Sequence, residues 1–160
     1  MASVRQQVAR AKVPYVIEFV ENLLQSVEKA VIFAHHKAIV DDLMAGFEKY
    51  NAVKLVGGMS DKDKNASVER FQNDKEVRVF VGNLKAAGVG LTLTASSTVV
   101  FAEIISVPAQ MTQGEDRCCR IGATTDSVLI YHLVLQGSLD VHFVKKLVEK
   151  QNIADKILDV

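Results

Sequence analysis

Tryptophan is absent from these 160 residues, proline occurs twice, and cysteine twice. The two cysteines are neighbours, Cys118 and Cys119, so neither a disulfide framework nor a zinc quartet is available. Neither sign of charge is in excess, with 19 basic against 19 acidic residues. That balance excludes a module that grips nucleic acid through net charge, though it leaves room for a local basic site. No apolar run approaches the roughly 18 residues of a membrane span, and no secretory leader pattern opens the chain. A soluble, intracellular protein without a membrane partner is expected. The phosphate-binding pattern G-x-x-x-x-G-K-[ST] is missing, as is a G-x-G-x-x-G between strand and helix. Repeats and low-complexity tracts are missing too. What is present is ordinary globular material, 49% hydrophobic and 24% charged. The length suits one domain of roughly 100–200 residues.

The apolar pattern alternates between two periods. Val16, Ile17, Val20, Leu23, Leu24 and Val27 fall at helical spacing, with Pro14 in or before the first turn. Residues 30–34 form a continuous apolar run, as a strand buried on both faces does. A second helix carries Ile39, Val40, Leu43, Met44 and Phe47 on one face, and a short strand at 53–56 closes on Gly57 and Gly58. Ser60 and Asp63 form an approximate capping box for a third helix that points Val68 and Phe71 inward. Strands are predicted over 77–81, 97–102 and 127–135, the last being the longest. A glycine-punctuated loop is expected over 82–90, a polar helix over 109–120, and a final helix after Gly137 and Ser138. Strands alternating with helices imply parallel crossovers and an open α/β sheet covered on both faces. Ligands of such sheets gather at the carboxyl ends of the strands, where His35, His36, Gly57, Gly58, the 82–90 stretch and Glu103 fall.

Two patterns carry candidate chemistry. Gly88 and Gly90 either make a tight turn or bring backbone N–H groups to a phosphate, with Lys85, Thr92 and Thr94 nearby. Gln113, Arg117 and Arg120 are spaced i, i+4, i+7, one stripe of a helix bearing an amide and two guanidiniums. Converging arginines suit bidentate phosphate contacts and charge stabilisation in phosphoryl transfer. The same spacing also fits a solvated Asp116–Arg120 surface pair. His35 and His36 have no third ligand for a metal, so no metal site is expected. His132 reads as a core histidine, His142 as exposed, and Lys145 and Lys146 as a solvated helix face. Cys118 and Cys119 read as small buried fillers.

Several stretches stand in a recognisable order: 31–36 (VIFAHH), 55–60 (LVGGMS) with Arg70 and Phe71 behind, 84–94 (LKAAGVGLTLT), 99–103 (VVFAE), and Gln113-x-Glu115-Asp116-Arg117-x-x-Arg120-Ile121-Gly122. The series resembles the C-terminal RecA-like lobe of Swi/Snf-type ATPases of helicase superfamily two, and within them the annealing-helicase branch and its bacterial relatives. The likeness spans nearly the whole chain. It implies a single three-layer α/β/α lobe over 1–160, with 1–29 a leading helix from the connection between lobes. It implies an N-terminal RecA-like lobe as partner, which holds the ATP and Mg. Carried over by position, Arg120 is the arginine finger and Arg117 its companion, while Gln113, Gly88 and Gly90 couple the nucleotide to lobe closure. His36, Lys37, Gly57, Gly58, Lys85 and Thr92 resemble positions on the DNA backbone, implying duplex or forked DNA bound without sequence specificity. Such a lobe is inactive as an ATPase alone; its compartment is the cytoplasm in a bacterium and the nucleus in a eukaryote.

The chain departs from the family pattern at Cys118 and Cys119, where a small or aliphatic residue and then His are usual. It departs again at Ala123 in place of Gln, at Thr92 in place of a frequent Asn, and at 106–108 (SVP), where an aromatic-Asn-Pro turn is common. The alternative reading is a free-standing, non-catalytic module that binds DNA or a protein through an inherited lobe. Retention of both arginines favours the ATPase, since a binding module has no use for a γ-phosphate sensor.

Overall fold

The computed structural model describes residues 3–86, 93–104 and 127–158, the last eight of them by backbone alone. Helix α1 (Val4–Leu23) starts where the Ser3 hydroxyl accepts the Gln6 N–H at 3.3 Å. It begins well upstream of the start that the apolar periodicity gives, though within the 1–29 of the leading helix that the resemblance implies, and Pro14 lies inside it. The buried positions Ala9, Val13, Val16 and Val20 continue one stripe across the proline, whose own ring faces solvent. Packing of that stripe outweighs the one missing intrahelical hydrogen bond.

Strand β1 (Ala30–Ala34) is buried at every residue, as its uninterrupted apolar run requires. Helix α2 (Lys37–Gly46) follows, then a 3₁₀ turn (Glu48–Tyr50), a left-handed Asn51 and strand β2 (Val53–Leu55). Helix α3 (Asp61–Asn73) opens as the capping pattern indicates: the Ser60 hydroxyl accepts the Asp63 N–H at 3.1 Å and donates to the Asp63 carboxylate at 2.7 Å. Strands β3 (Val79–Asn83), β4 (Thr98–Phe101) and β5 (Leu129–His132) complete the sheet, and helix α4 (Leu139–Leu158) closes the described chain. The five strands are all parallel, in the order β2-β3-β1-β4-β5.

Two expected strands are displaced. β3 starts two residues late because Asp74 first turns the chain, accepting the Glu76 N–H on its side chain and the Val77 N–H on its carbonyl. It then runs on through Gly82 and Asn83, which pair with Phe33 and Ala34, so these two residues are strand rather than loop. Glycine suits position 82, since a Cβ would sit 3.0 Å from the Phe33 ring and that ring would have to give way. β5 is four residues long instead of nine. It lies at the sheet edge, and its only described neighbour, β4, has four residues to pair with. His132 is correspondingly exposed, not buried in the core; it stacks on Phe101 at 4.8 Å.

The core has two halves, one on each sheet face. Val16, Val20, Val40 and Leu43 of α1 and α2 pack on Ile32, Val81 and Val100. Phe71 of α3 packs on the opposite face with Val31, Phe33, Leu55, Phe80 and Phe101. α4 lies beside α1, tied by the Lys12–Asp140 ion pair and by Arg5 over the Phe143 ring. No described helix is long and apolar enough to cross a membrane. His142, Lys145 and Lys146 are exposed on α4, as expected.

Candidate nucleotide and nucleic-acid site

A parallel sheet puts all its strand exits on one edge. After β1 the next strand, β2, lies two places to one side; after β4 the next described strand, β5, lies on the other. The chain thus leaves the neighbouring strands β1 and β4 in opposite directions, which opens a crevice between their carboxyl ends. His35 and His36 follow β1 there, and Glu103 and Ile104 follow β4.

Glu103 bridges the crevice. Its Oε2 accepts the backbone N–H of His35 at 2.7 Å and of His36 at 2.8 Å, and its Oε1 lies 2.5 Å from Nδ1 of His36. Hydrogen bonds to an ionised acceptor are stronger than neutral ones, and this carboxylate collects three. Asn83, at the end of β3, donates to the His35 carbonyl at 2.6 Å and accepts the Lys85 N–H at 3.0 Å. From α1, Arg5 reaches the Ile104 carbonyl at 3.4 Å. The His35 ring stands edge-on to His36 at 4.9 Å, and its buried Nδ1 has no hydrogen-bond partner among the described residues. Burial holds His35 below the ordinary histidine value, and His36 pushes the same way; Glu103 opposes them, and Lys85 and Arg5 add small downward effects.

The structure gathers part of the expected site. His36 caps α2, Lys37 is its exposed first residue, Gly57 and Gly58 lie exposed past β2, and Lys85 lies exposed past β3. Because β1, β3 and β2 are consecutive neighbours, these residues form a row along one edge. Gly58 takes φ +89°, a left-handed turn that favours glycine. Gly88, Gly90, Thr92, Gln113, Arg117, Cys118, Cys119 and Arg120 lie outside the described residues, as does the helix expected over 109–120. Among the described residues no three metal-ligating side chains cluster. The row's donors, imidazole, ammonium and backbone amide, suit a phosphate rather than a magnesium ion. The clamp of Glu103, Asn83 and Arg5 escaped sequence reasoning. Its one advance signal is Glu103 itself, an acidic residue two positions past the apolar run 99–101 and among the strand exits.

The helicase conserved C-terminal domain family matches residues 11–122. The chain belongs to that family. A helicase C-terminal domain accounts for the five-stranded parallel sheet, and the architecture recurs in the C-terminal part of the Fun30 ATPase domain. That structure has a TM-score of 0.76 at 24% identity, over 81% of this chain and 44% of the other, and shows the RecA-like fold. The domain is 38% identical over 135 residues to the SWI/SNF-related matrix-associated actin-dependent regulator of chromatin subfamily A-like protein 1 of Xenopus tropicalis. It is 36% identical over 138 residues to the human DNA annealing helicase and endonuclease ZRANB3. The matches cover 82% and 84% of this chain but 14% and 13% of those relatives' length. The likeness to a Swi/Snf-type second lobe, drawn from the ordered motifs, is thereby borne out.

Proposed function

We propose that this helicase C-terminal domain works as the second RecA-like lobe of a DNA-dependent ATPase, a Swi/Snf-type translocase or remodeller. The observation that carries the reading is the row of His36, Lys37, Lys85 and the Gly57-Gly58 turn on one sheet edge, beside a crevice of the kind where α/β sheets bind ligands. The relatives' names, a chromatin regulator and a DNA annealing helicase, support DNA as the substrate. The missing phosphate-binding loop supports a division of labour: a first RecA-like lobe holds ATP and Mg, and this lobe closes over them. Residues 1–29 then belong to the connection between the lobes.

In this mechanism Arg120 is the finger on the γ-phosphate and Arg117 its companion. Gln113, Gly88 and Gly90 pass the state of the nucleotide to lobe closure. His36, Lys37, Gly57, Gly58, Lys85 and Thr92 hold backbone phosphates of duplex or forked DNA. Contacts of that kind position the protein without reading sequence, as a translocating motor requires. ATP draws the lobes together and hydrolysis releases them, so alternating grip advances the protein. The lobe alone turns over no ATP. It works in the nucleus of a eukaryote or the cytoplasm of a bacterium.

The test is DNA-stimulated ATP turnover with the first lobe present, in the same polypeptide or added. Arg120→Ala is expected to lower the rate by roughly 10³–10⁵, the usual worth of an arginine finger. Turnover indifferent to Arg120→Ala would favour the free-standing binding module instead.

A further inference from the structure

Glu103 does more than close a crevice. Its side chain is 6% exposed and that of His36 25%, so the carboxylate lies inside while the ring reaches the surface. A carboxylate can only accept, so Oε1 takes the hydrogen of Nδ1 and leaves Nε2 as the ring nitrogen for an outside ligand. The same carboxylate fixes the backbone N–H groups of His35 and His36 from 68 and 67 residues away. Ring and turn are thus oriented by one group just past a neighbouring strand. Lys37 and Lys85, both exposed, flank the row with positive charge, and the His35 ring limits His36 on one side.

We propose that Glu103 is a positioning residue for DNA, setting the His36 ring so that Nε2 donates to a backbone phosphate oxygen. The inference rests on the DNA reading above. A ring bonded at both nitrogens carries both hydrogens, one given to the carboxylate and one to the phosphate. This arrangement parallels the way an acceptor behind a metal-bound histidine fixes its ring and tautomer. Glu103→Gln separates this role from a purely structural one. The amide keeps an oxygen for the two backbone N–H groups but turns a donor toward Nδ1, which then accepts; the ring is left neutral with its hydrogen on Nε2, and its bond to phosphate loses the charge.

The experiment measures ATP turnover against duplex DNA concentration for the whole protein, first lobe included. Glu103→Gln is expected to raise the DNA needed for half-maximal stimulation about five- to tenfold, the difference between a charge-assisted and a neutral hydrogen bond, with the rate at saturating DNA within about threefold. His36→Ala, which loses the whole bond, is expected to raise it at least as far. The double variant should be no more than about twofold worse than His36→Ala, because the two residues act as one unit. An unchanged half-saturation point, or effects that multiply in the double variant, overturns the proposal while leaving the DNA reading intact. A wild-type protein that DNA does not stimulate overturns both. A measurement without any variant is the ¹⁵N spectrum of the histidine rings: His36 should show hydrogen on Nδ1, with a DNA-induced shift at Nε2. A silent Nε2 counts against the proposal even if Glu103→Gln does not fold.

Discussion

Lys12 and Asp140 share a site from which water is nearly gone, with side chains 4% and 10% exposed and 2.6 Å between Nζ and Oδ2. Lys12 also donates to the Leu133 carbonyl at 2.7 Å, and Asp140 accepts the Leu135 N–H at 3.2 Å. Burial pulls the Lys12 ammonium below its ordinary value, while the hydrogen bond and charge of Asp140 and the charge of Glu103 oppose it. Removing one partner strands the other, so Lys12→Ala should cost about 3–5 kcal/mol in denaturant unfolding. Replacing both at once, as Lys12→Met with Asp140→Leu, should cost far less; equal losses would mean that the pair is not the unit. His35 makes a pH prediction at the same scale. Its folded value lies below the unfolded one, so the unfolded chain binds more protons between the two. The contribution of His35 is therefore present above about pH 6.5 and is lost as pH falls through the lower folded value. Unfolding midpoints followed from neutral to about pH 5 should decline in the wild type, and His35→Asn should flatten that part of the decline.

Elements were legible where one physical effect dominated. β1 and the start of α3 were readable because complete burial and a Ser60 cap each leave a local trace. The start of α1 is not legible in the apolar periodicity, although Ser3 and Gln6 stand in capping-box spacing, because a proline fits best in or before a first turn and so points to a start near Pro14. Proline inside a helix lacks the N–H that would bond the Arg10 carbonyl, and its ring crowds that turn. Pro14 is exposed, so Pro14→Ala changes little else. It should stabilise the domain by about 2 kcal/mol, the helix gain of about 3 less some freedom returned to the unfolded chain. A loss of stability on thermal unfolding would mean that the surrounding packing requires the proline's local geometry. Gly82 reads as loop in the sequence because its demand for space comes from Phe33, on another strand. Gly82→Ala should cost about 1–3 kcal/mol through overpacking against the Phe33 and Phe80 rings.

At the scale of the molecule, what sequence order carried was the layout, and what it missed were bonds between distant segments. The row His36, Lys37, Gly57, Gly58 and Lys85 was legible because each residue follows an apolar strand and parallel strands share one exit edge. The bridge from Glu103 to His36 was not, because nothing local links residues 67 positions apart. The same layout resolves an apparent conflict with the zero net charge. On the proposed DNA reading, a neutral chain has no net charge to gather DNA, so affinity would come from the few phosphates that this edge holds. Each neutralised phosphate releases counterions and steepens the fall of affinity with salt by about 0.9 in log–log slope on duplex DNA. Lys37→Ala and Lys85→Ala, both exposed and outside the core, should each flatten that slope by about 1 and weaken binding alike on unrelated sequences. Fluorescence titration of labelled duplexes over a salt series measures it. A weakening that depends on sequence, or a slope left unchanged by both variants, would move the DNA contact away from this edge.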